Sequence, residues 1–230
     1  MKTITYNTIE MSDDQRDQFD LLADRLVERN RQVNLTAITD PEEIREKHFA
    51  DSLAILEWKG LAECRNVLDL GTGGGFPGLP IAVVCPRIDV TMMDSVEKKL
   101  GFVDEMIGEL GLTNARTLWA RAEEAGRGSE CRGAYDLVVS RAVAPLPVLI
   151  EYSLPFLRIG GAFVAYKSNA GKEIDESGRA LSELGGTAEE VMDYAVAGGD
   201  KRSLIIIRKT QPTPDKYPRR TGKPAKSPLV

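Results

Sequence analysis

Three cysteines in 230 residues, Cys64, Cys85 and Cys131, are odd in number, widely spaced and without a Cys-x-x-Cys pair. They exclude a disulfide framework and offer no zinc-ligand spacing, so packing is the role expected of them and no metal is expected. No stretch approaches 18 consecutive apolar residues, which argues against a membrane-spanning helix. The start Met1-Lys2-Thr3-Ile4-Thr5-Tyr6-Asn7 is polar and lacks the apolar run of a secretory signal. The expectation is a soluble, cytoplasmic protein with no membrane partner. There is one histidine, His48, so an acid–base scheme built on imidazole has a single candidate.

Net charge is −5, which by itself speaks against nucleic acid as a partner. The distribution reverses that reading. From Arg208 onward there are seven basic residues against one acid, a net +6, so the preceding residues carry −11. A tail of that sign can meet phosphates through charge alone, or it can simply be a solvated end.

At this length the chain can build one α/β core with a small appendage. Ser12 and Gln15 have capping-box spacing, and Phe19, Leu22, Leu26 and Arg29 step along one face, which predicts a helix from 12 to about 30. Asp40 as cap, Pro41 at the first position and Glu43 three residues after the cap predict a second helix reaching about Trp58. Residues 1–60 thus read as an N-terminal helical cap. From 61 to 210 strands and helices alternate: strands at 66–70, 88–94, 115–120, 135–140 and 161–167, with helices from about 77, at 96–110, from about 146 and at 172–184. Alternation of this kind implies a parallel sheet with helices on both faces. Two last strands, near 189–197 and 202–208, have no helix between them and predict an antiparallel hairpin at one edge. Residues 211–230, with Pro212, Pro214, Pro218, Pro224 and Pro228, read as an extended or surface-draped basic tail.

The most informative segment is Val67-Leu68-Asp69-Leu70-Gly71-Thr72-Gly73-Gly74-Gly75-Phe76-Pro77-Gly78. A strand runs through an acid into glycines at every second position, and glycine lets backbone turn sharply and approach a ligand closely. Two cofactors fit. From Gly73 the segment reads Gly73-x-Gly75-x-x-Gly78, the dinucleotide fingerprint. From Asp69 it resembles the first motif of the S-adenosylmethionine (SAM) dependent methyltransferases, and the Asp69 carboxylate suits a cationic amino acid tail better than a pyrophosphate. Seven strands with a terminal hairpin favour the second reading, because the dinucleotide fold ordinarily has six parallel strands.

Ligands of open α/β sheets sit beyond the carboxyl ends of the strands. There lie Phe76, a possible pocket wall; Asp94-Ser95-Val96, where a carboxylate can accept from both ribose hydroxyls; Arg121-Ala122-Glu123, facing the adenine edge; Ser140-Arg141-Ala142; and Lys167. Two absences narrow the chemistry of a methyltransferase. The Asn/Asp-Pro-Pro-aromatic motif of base-amine methylation is missing after the fourth strand, and Cys131 precedes that strand, at the wrong end for a covalent nucleophile. What remains is an acceptor that is nucleophilic without losing a proton. Guanine N7 is such an atom, and catalysis would then be positioning.

The motifs Val33-Asn34-Leu35-Thr36, His48-Phe49-Ala50-Asp51-Ser52-Leu53, the glycine segment, Asp94-Ser95 with Lys98-Lys99, Arg121-Ala122-Glu123, Ser140-Arg141-Ala142 and the ending Lys216-Tyr217-Pro218-Arg219-Arg220 follow one another in a familiar order. This order resembles the 16S ribosomal RNA guanine-N7 methyltransferases, also called the glucose-inhibited division protein B family. The resemblance implies a Rossmann-like class I SAM methyltransferase domain with a seven-stranded, mostly parallel sheet and an N-terminal helical extension. It implies SAM as cofactor and a guanine in the 530 loop of 16S rRNA as acceptor, offered as rRNA or within a small-subunit particle. Cofactor contacts fall on Gly71, Gly73, Phe76, Asp94, Ser95, Val96, Ala122, Glu123 and Arg141, substrate contacts on Arg141, Lys167 and His48, and no side chain is assigned as catalytic. Tyr166-Lys167-Ser168 stands where many members have Leu-Lys-Gly. His48, Asp51 and Ser52 share a helix face, which suits a polar network bracing the cap or a lining for the guanine pocket.

Overall fold

The computed structural model describes residues 1–168 and 170–230. Its frame is one eight-stranded sheet in the order β1-β7-β8-β6-β5-β2-β3-β4. The strands are β1 (Lys2–Thr3), β2 (Asn66–Leu70), β3 (Asp89–Asp94), β4 (Ala115–Trp119), β5 (Tyr135–Arg141), β6 (Leu157–Lys167), β7 (Gly186–Ala195) and β8 (Lys201–Lys209). Strands β2 to β6 pair in parallel, and β8 runs antiparallel between β6 and β7, as the missing helix between the last two strands predicts. The sheet has one strand more than the seven expected. Lys2 and Thr3 pair in parallel with Tyr194 and Ala195, and two residues are too few to display an alternating pattern.

Side chains alternate across the sheet with the period of a strand. Val67, Val164 and Ile206 belong to the core under the cap, whereas Leu68, Phe163 and Ile207 belong to the core on the other face. The cap packs on the first face. Helix α1 (Asp13–Asn30) begins with the expected capping box, the Ser12 hydroxyl accepting from the Gln15 amide, and buries Phe19, Leu22 and Leu26. The second predicted helix breaks into α2 (Pro41–Ile44), a π-helical turn (Arg45–Ala50), α3 (Asp51–Leu53) and a 3₁₀ turn (Ala54–Glu57). Such π-helical turns cluster at functional sites, and this one carries His48. Helices α4 (Gly78–Val84) and α5 (Glu97–Glu109) complete that face.

The opposite face is covered by α7 (Leu146–Ser153) and by α8 (Gly171–Asp175) and α9 (Gly178–Leu184), into which the predicted 172–184 helix divides. The short α6 (Ala122–Ala125) follows β4. The C-terminal segment also packs here and ends in α10 (Lys223–Lys226). Tyr217 and Leu229 are buried in the second core, and each large apolar side chain so buried contributes about 1.5–3 kcal/mol. Arg132 donates to the carbonyls of Thr213 and Tyr217, and Arg127 to that of Pro218. Arg219 closes on the fully buried Glu151 through its backbone amide (2.8 Å), Nε (2.9 Å) and Nη2 (2.5 Å). The tail is therefore a strap, anchored by Arg219, while Arg220, Lys223 and Lys226 form no ion pair among the described residues.

Candidate active site

The carboxyl ends of β2 to β6 open into a cleft of about 940 Å³. Its floor is the glycine loop. Gly71, Gly73 and Gly75 have φ of +75°, +59° and +91°, a region where a side chain is strained. At Gly71 a Cβ would also stand 2.4 Å from Val143 Cγ2, so the chains leaving β2 and β5 press together there. Ala142, next to Val143 at the rim, has φ +58° without being glycine, and strain of this kind concentrates at ligand sites.

Asp69 corrects one expectation. It is completely buried and does not line the cleft; its Oδ2 accepts from the Thr72 hydroxyl at 2.5 Å and the Gly78 amide at 2.8 Å. The carboxyl braces the loop instead of facing a cationic ligand. Burial pushes its pKa up to about 7 against the pull of those two hydrogen bonds, and its Oδ1 has no partner among the described residues.

Of the residues singled out from the sequence, Gly71, Gly73 and Phe76 line the cleft, as do Asp94, Ser95, Ala122 and Glu123 at the end nearer β3 and β4. Asp94 Oδ2 accepts from the Gly73 amide (2.9 Å) and Oδ1 from the Val96 amide (2.8 Å), which leaves lone pairs on both oxygens. Val96 is the exception. It lies outside the lining, as an exposed residue, and contributes its backbone amide to the fixing of Asp94. Arg141, Lys167 and His48 line the other end.

The second end is a charged network. Arg141 Nη1 donates to Asp51 Oδ2 at 2.8 Å, its guanidinium carbon lies 5.4 Å from the Phe76 ring centre, and Nη2 meets His48 Nδ1 at 3.2 Å. A guanidinium only donates, so Nδ1 accepts and the imidazole proton sits on Nε2, 2.7 Å from the Thr36 hydroxyl. His48 stacks on Phe76 at 4.8 Å, and burial first, then Arg141, press its pKa down to about 3. The tyrosines Tyr194 and Tyr166 donate to Asp51 Oδ1 and the Ser52 carbonyl, both at 2.7 Å, tying the cap to β7 and β6. Of the two roles open to His48, this geometry gives it the bracing one while leaving it in the cleft wall. Lys167 is held by Glu173 (2.7 Å) and the Ala144 carbonyl (2.8 Å).

Sequence reasoning missed part of the lining. Gly222 and Ala225 of the strap reach the cleft, and the Gly222 amide donates to Glu123 Oε1 at 2.9 Å. Lys47 and Arg202 add positive charge at the cap end. No local pattern marks a residue that arrives from 99 positions away, as Gly222 does at Glu123. The cysteines take no part, for none of the three lines the cleft, and burial raises the Cys64 thiol to about 11. Among the described residues no cluster of metal ligands forms and no helix is long and apolar enough to cross a membrane.

Solved structures with this architecture include a SAM-dependent methyltransferase from Aquifex aeolicus, with TM-score 0.54 at 18% identity over 74% of this chain and 94% of that one. TrmN from Thermus thermophilus aligns with TM-score 0.52 at 24% identity, over 69% of this chain and 48% of that one. At such identities the likeness speaks for the fold alone. Sequence carries further. The protein from Acetivibrio thermocellus called ribosomal RNA small subunit methyltransferase G is 46% identical over 226 residues, covering 96% of this chain and 92% of its own. Its namesake from Deinococcus radiodurans is 47% identical over 215 residues, covering 93% and 85%. The family model described as rRNA small subunit methyltransferase G matches residues 15–204. With most of its length matched in this way, the chain belongs to the rRNA small subunit methyltransferase G family.

Proposed function

We propose that this protein is a cytoplasmic enzyme that transfers the methyl group of SAM to N7 of a guanine in the 530 loop of 16S rRNA, by positioning and without a covalent intermediate. Family membership favours SAM over the nicotinamide cofactor that the glycine register left open. The residues fit it: the positive-φ glycines keep the floor clear, Asp94 retains lone pairs for ribose hydroxyls, and Glu123 with the strap closes the adenine end. When bound, SAM supplies an electrophilic methyl group on a sulfonium. The chain's own residues then have to hold the base.

One observation carries the choice of acceptor. The only imidazole in the cleft has its accepting nitrogen occupied by Arg141 and a pKa near 3, and no cysteine lines the site. A histidine base and a cysteine nucleophile are thus not offered here, and the carboxylates at the base-binding end, Asp51 and Glu173, are already engaged by Arg141 and Lys167. Guanine N7 has an in-plane lone pair and no proton, so alignment suffices. Arg141 and Lys167 are cationic donors able to meet base acceptors or phosphate, with His48 and Phe76 as the adjoining wall.

The test is mass spectrometry of 16S rRNA from a strain lacking this protein, followed by methylation of that rRNA, and of small-subunit particles, by the purified enzyme. The expected result is loss of one N7-methylguanosine from the 530 loop and its restoration in vitro. An unchanged loop, or a methyl on any other atom, overturns the reading.

A further inference from the structure

Trp119 has no part in the site described so far. It is the last residue of β4 and is 62% exposed, whereas the only other tryptophan, Trp58, is 5% exposed. Exposed tryptophan is normally loose, yet this indole is fixed: Nε1 donates to the Ser95 carbonyl at 3.3 Å, on the loop that presents Asp94 to the cleft. An exposed ring tied to Ser95 and followed by Ala120 and Arg121, which line the cleft, is placed to act as a stacking platform.

The charges around it decide what can stack there. Lys98 and Lys99 lie in the first turn of α5, Arg121 follows β4 by two residues, and Arg220, Lys223 and Lys226 sit on the strap segment whose Gly222 and Ala225 line the same cleft. Among the described residues none of these six forms an ion pair, while Arg25, Arg29, Arg45, Arg158 and Arg208 elsewhere are each matched by a carboxylate. Glu97, Glu123 and Glu124 are the acids beside them; Glu123 accepts from the Gly222 amide and Glu124 from the Thr221 hydroxyl. Other cations, such as Arg16, Lys59 and Arg87, also lack an ion pair among the described residues, but these six stand on the segments that border one end of the cleft.

We propose that Trp119 and the surrounding cations form a docking surface for an unpaired stretch of RNA flanking the acceptor nucleotide, with one base stacked on the indole and the phosphates met by Lys98, Arg121 and the strap lysines. The inference rests on the proposed action on rRNA. A base inside a duplex has no face to offer, so the surface selects single-stranded RNA, which proteins commonly read by stacking on aromatic rings. An acidic peptide would use the cations and leave the indole idle.

The test compares Trp119→Ala and Trp119→Phe with wild type, using deproteinised 16S rRNA and small subunits from a strain lacking the modification. Stacking on an aromatic ring is worth roughly 5- to 150-fold in affinity. Trp119→Ala should raise KM for the RNA by about that factor, with kcat and the SAM dissociation constant unchanged, and Trp119→Phe should recover most of the loss. Because Trp58 is buried, quenching of tryptophan fluorescence by added rRNA should be strong in wild type and vanish in Trp119→Phe. The pair Lys98→Gln with Lys223→Gln should lower the slope of log affinity against log salt by about 0.7 for each phosphate that is no longer neutralised. An unchanged KM for RNA in Trp119→Ala, or a SAM affinity that falls while RNA binding holds, removes Trp119 from the RNA surface. An effect confined to assembled subunits would mean that the ring meets a ribosomal protein, which also overturns the proposal. Failure of wild type to bind or methylate rRNA at all is a different result and strikes the functional reading instead.

Discussion

The cap before β2 and the strap after β8 are both additions to the strand–helix frame, and each is joined to it by a buried arginine–carboxylate pair, yet they stand on different foundations. The cap rests on an apolar base, in which Tyr6, Phe19, Phe49 and Phe76 pack edge to face or tilted at 4.9–6.0 Å, and Arg141–Asp51 is laid over it. The strap buries few apolar side chains and is held chiefly by polar contacts, above all the closure of Arg219 on Glu151. They also wall opposite ends of one cleft: His48 and Lys47 at the cap end, Gly222 and Ala225 at the strap end. A segment held by packing tolerates loss of an ion pair; one held by the pair itself does not.

The largest effect is therefore expected at the strap. Arg219→Ala leaves the Glu151 carboxylate buried without its cation, and breaking a buried pair on one side costs about 3 to 5 kcal/mol. Urea denaturation should show that loss, and Glu151→Gln in the same chain should recover part of it. SAM and RNA affinity should both fall, because the Gly222 amide that holds Glu123 and the strap lysines proposed to meet phosphate go slack together. Unchanged affinity for both ligands in the folded variant would show that the strap walls neither.

Arg141→Ala should cost less, about 1.5 to 3 kcal/mol, the range for a hydrogen bond to a charged group, since Asp51 keeps the Tyr194 hydroxyl and the aromatic base remains. Its effect on catalysis should exceed its effect on SAM binding. A variant as unstable as Arg219→Ala would show that the cap depends on its ion pair after all.

Asp94, on the floor between the two walls, sharpens the contrast by belonging to neither. Asp94→Ala should weaken SAM binding by about 1 to 3 kcal/mol in calorimetry, through the hydrogen bonds it removes, without selective loosening of cap or strap. Unchanged SAM affinity in the folded variant removes Asp94 from the cofactor site.

The contrast also explains what was legible in the chain. Period-two strands, the capping box at Ser12 and the acid–glycine loop are local signals, and from them the order of elements and the lining residues just beyond β2 and β3 followed. For residues 211–230 a surface-draped arm was one of the two readings, but its anchoring was not legible, because Glu151 lies 68 residues away. The same holds for the edge strand at Lys2–Thr3 and for the division of the second cap helix at the π-helical turn, both set by tertiary pairing. Asp69 shows the opposite error, for a correctly located residue was given a ligand contact that its burial denies.

In the wild type the smallest effects are those of pH, where His48 on the cap side and Asp69 beneath the floor oppose one another. The fold presses the His48 pKa from 6.5 to about 3, so between those values the unfolded chain takes up a proton that the folded one refuses, and stability falls as pH falls. The fold raises the Asp69 pKa from 3.8 to about 7, so in that window the folded chain holds a proton that the unfolded one has lost, and stability rises as pH falls. Each slope is at most about 1.4 kcal/mol per pH unit, and between pH 4 and 6.5 they nearly cancel. Wild type should thus show little net dependence from this pair. His48→Asn uncovers the Asp69 slope and should gain stability relative to wild type as pH is lowered from 6.5. Asp69→Asn uncovers the histidine slope and should gain relative to wild type as pH is raised from 4 to 7. Denaturation midpoints at half-unit intervals of pH would resolve the two. Parallel curves for wild type and His48→Asn would mean that His48 is charged in the fold, and the argument that it cannot serve as a base would go with it.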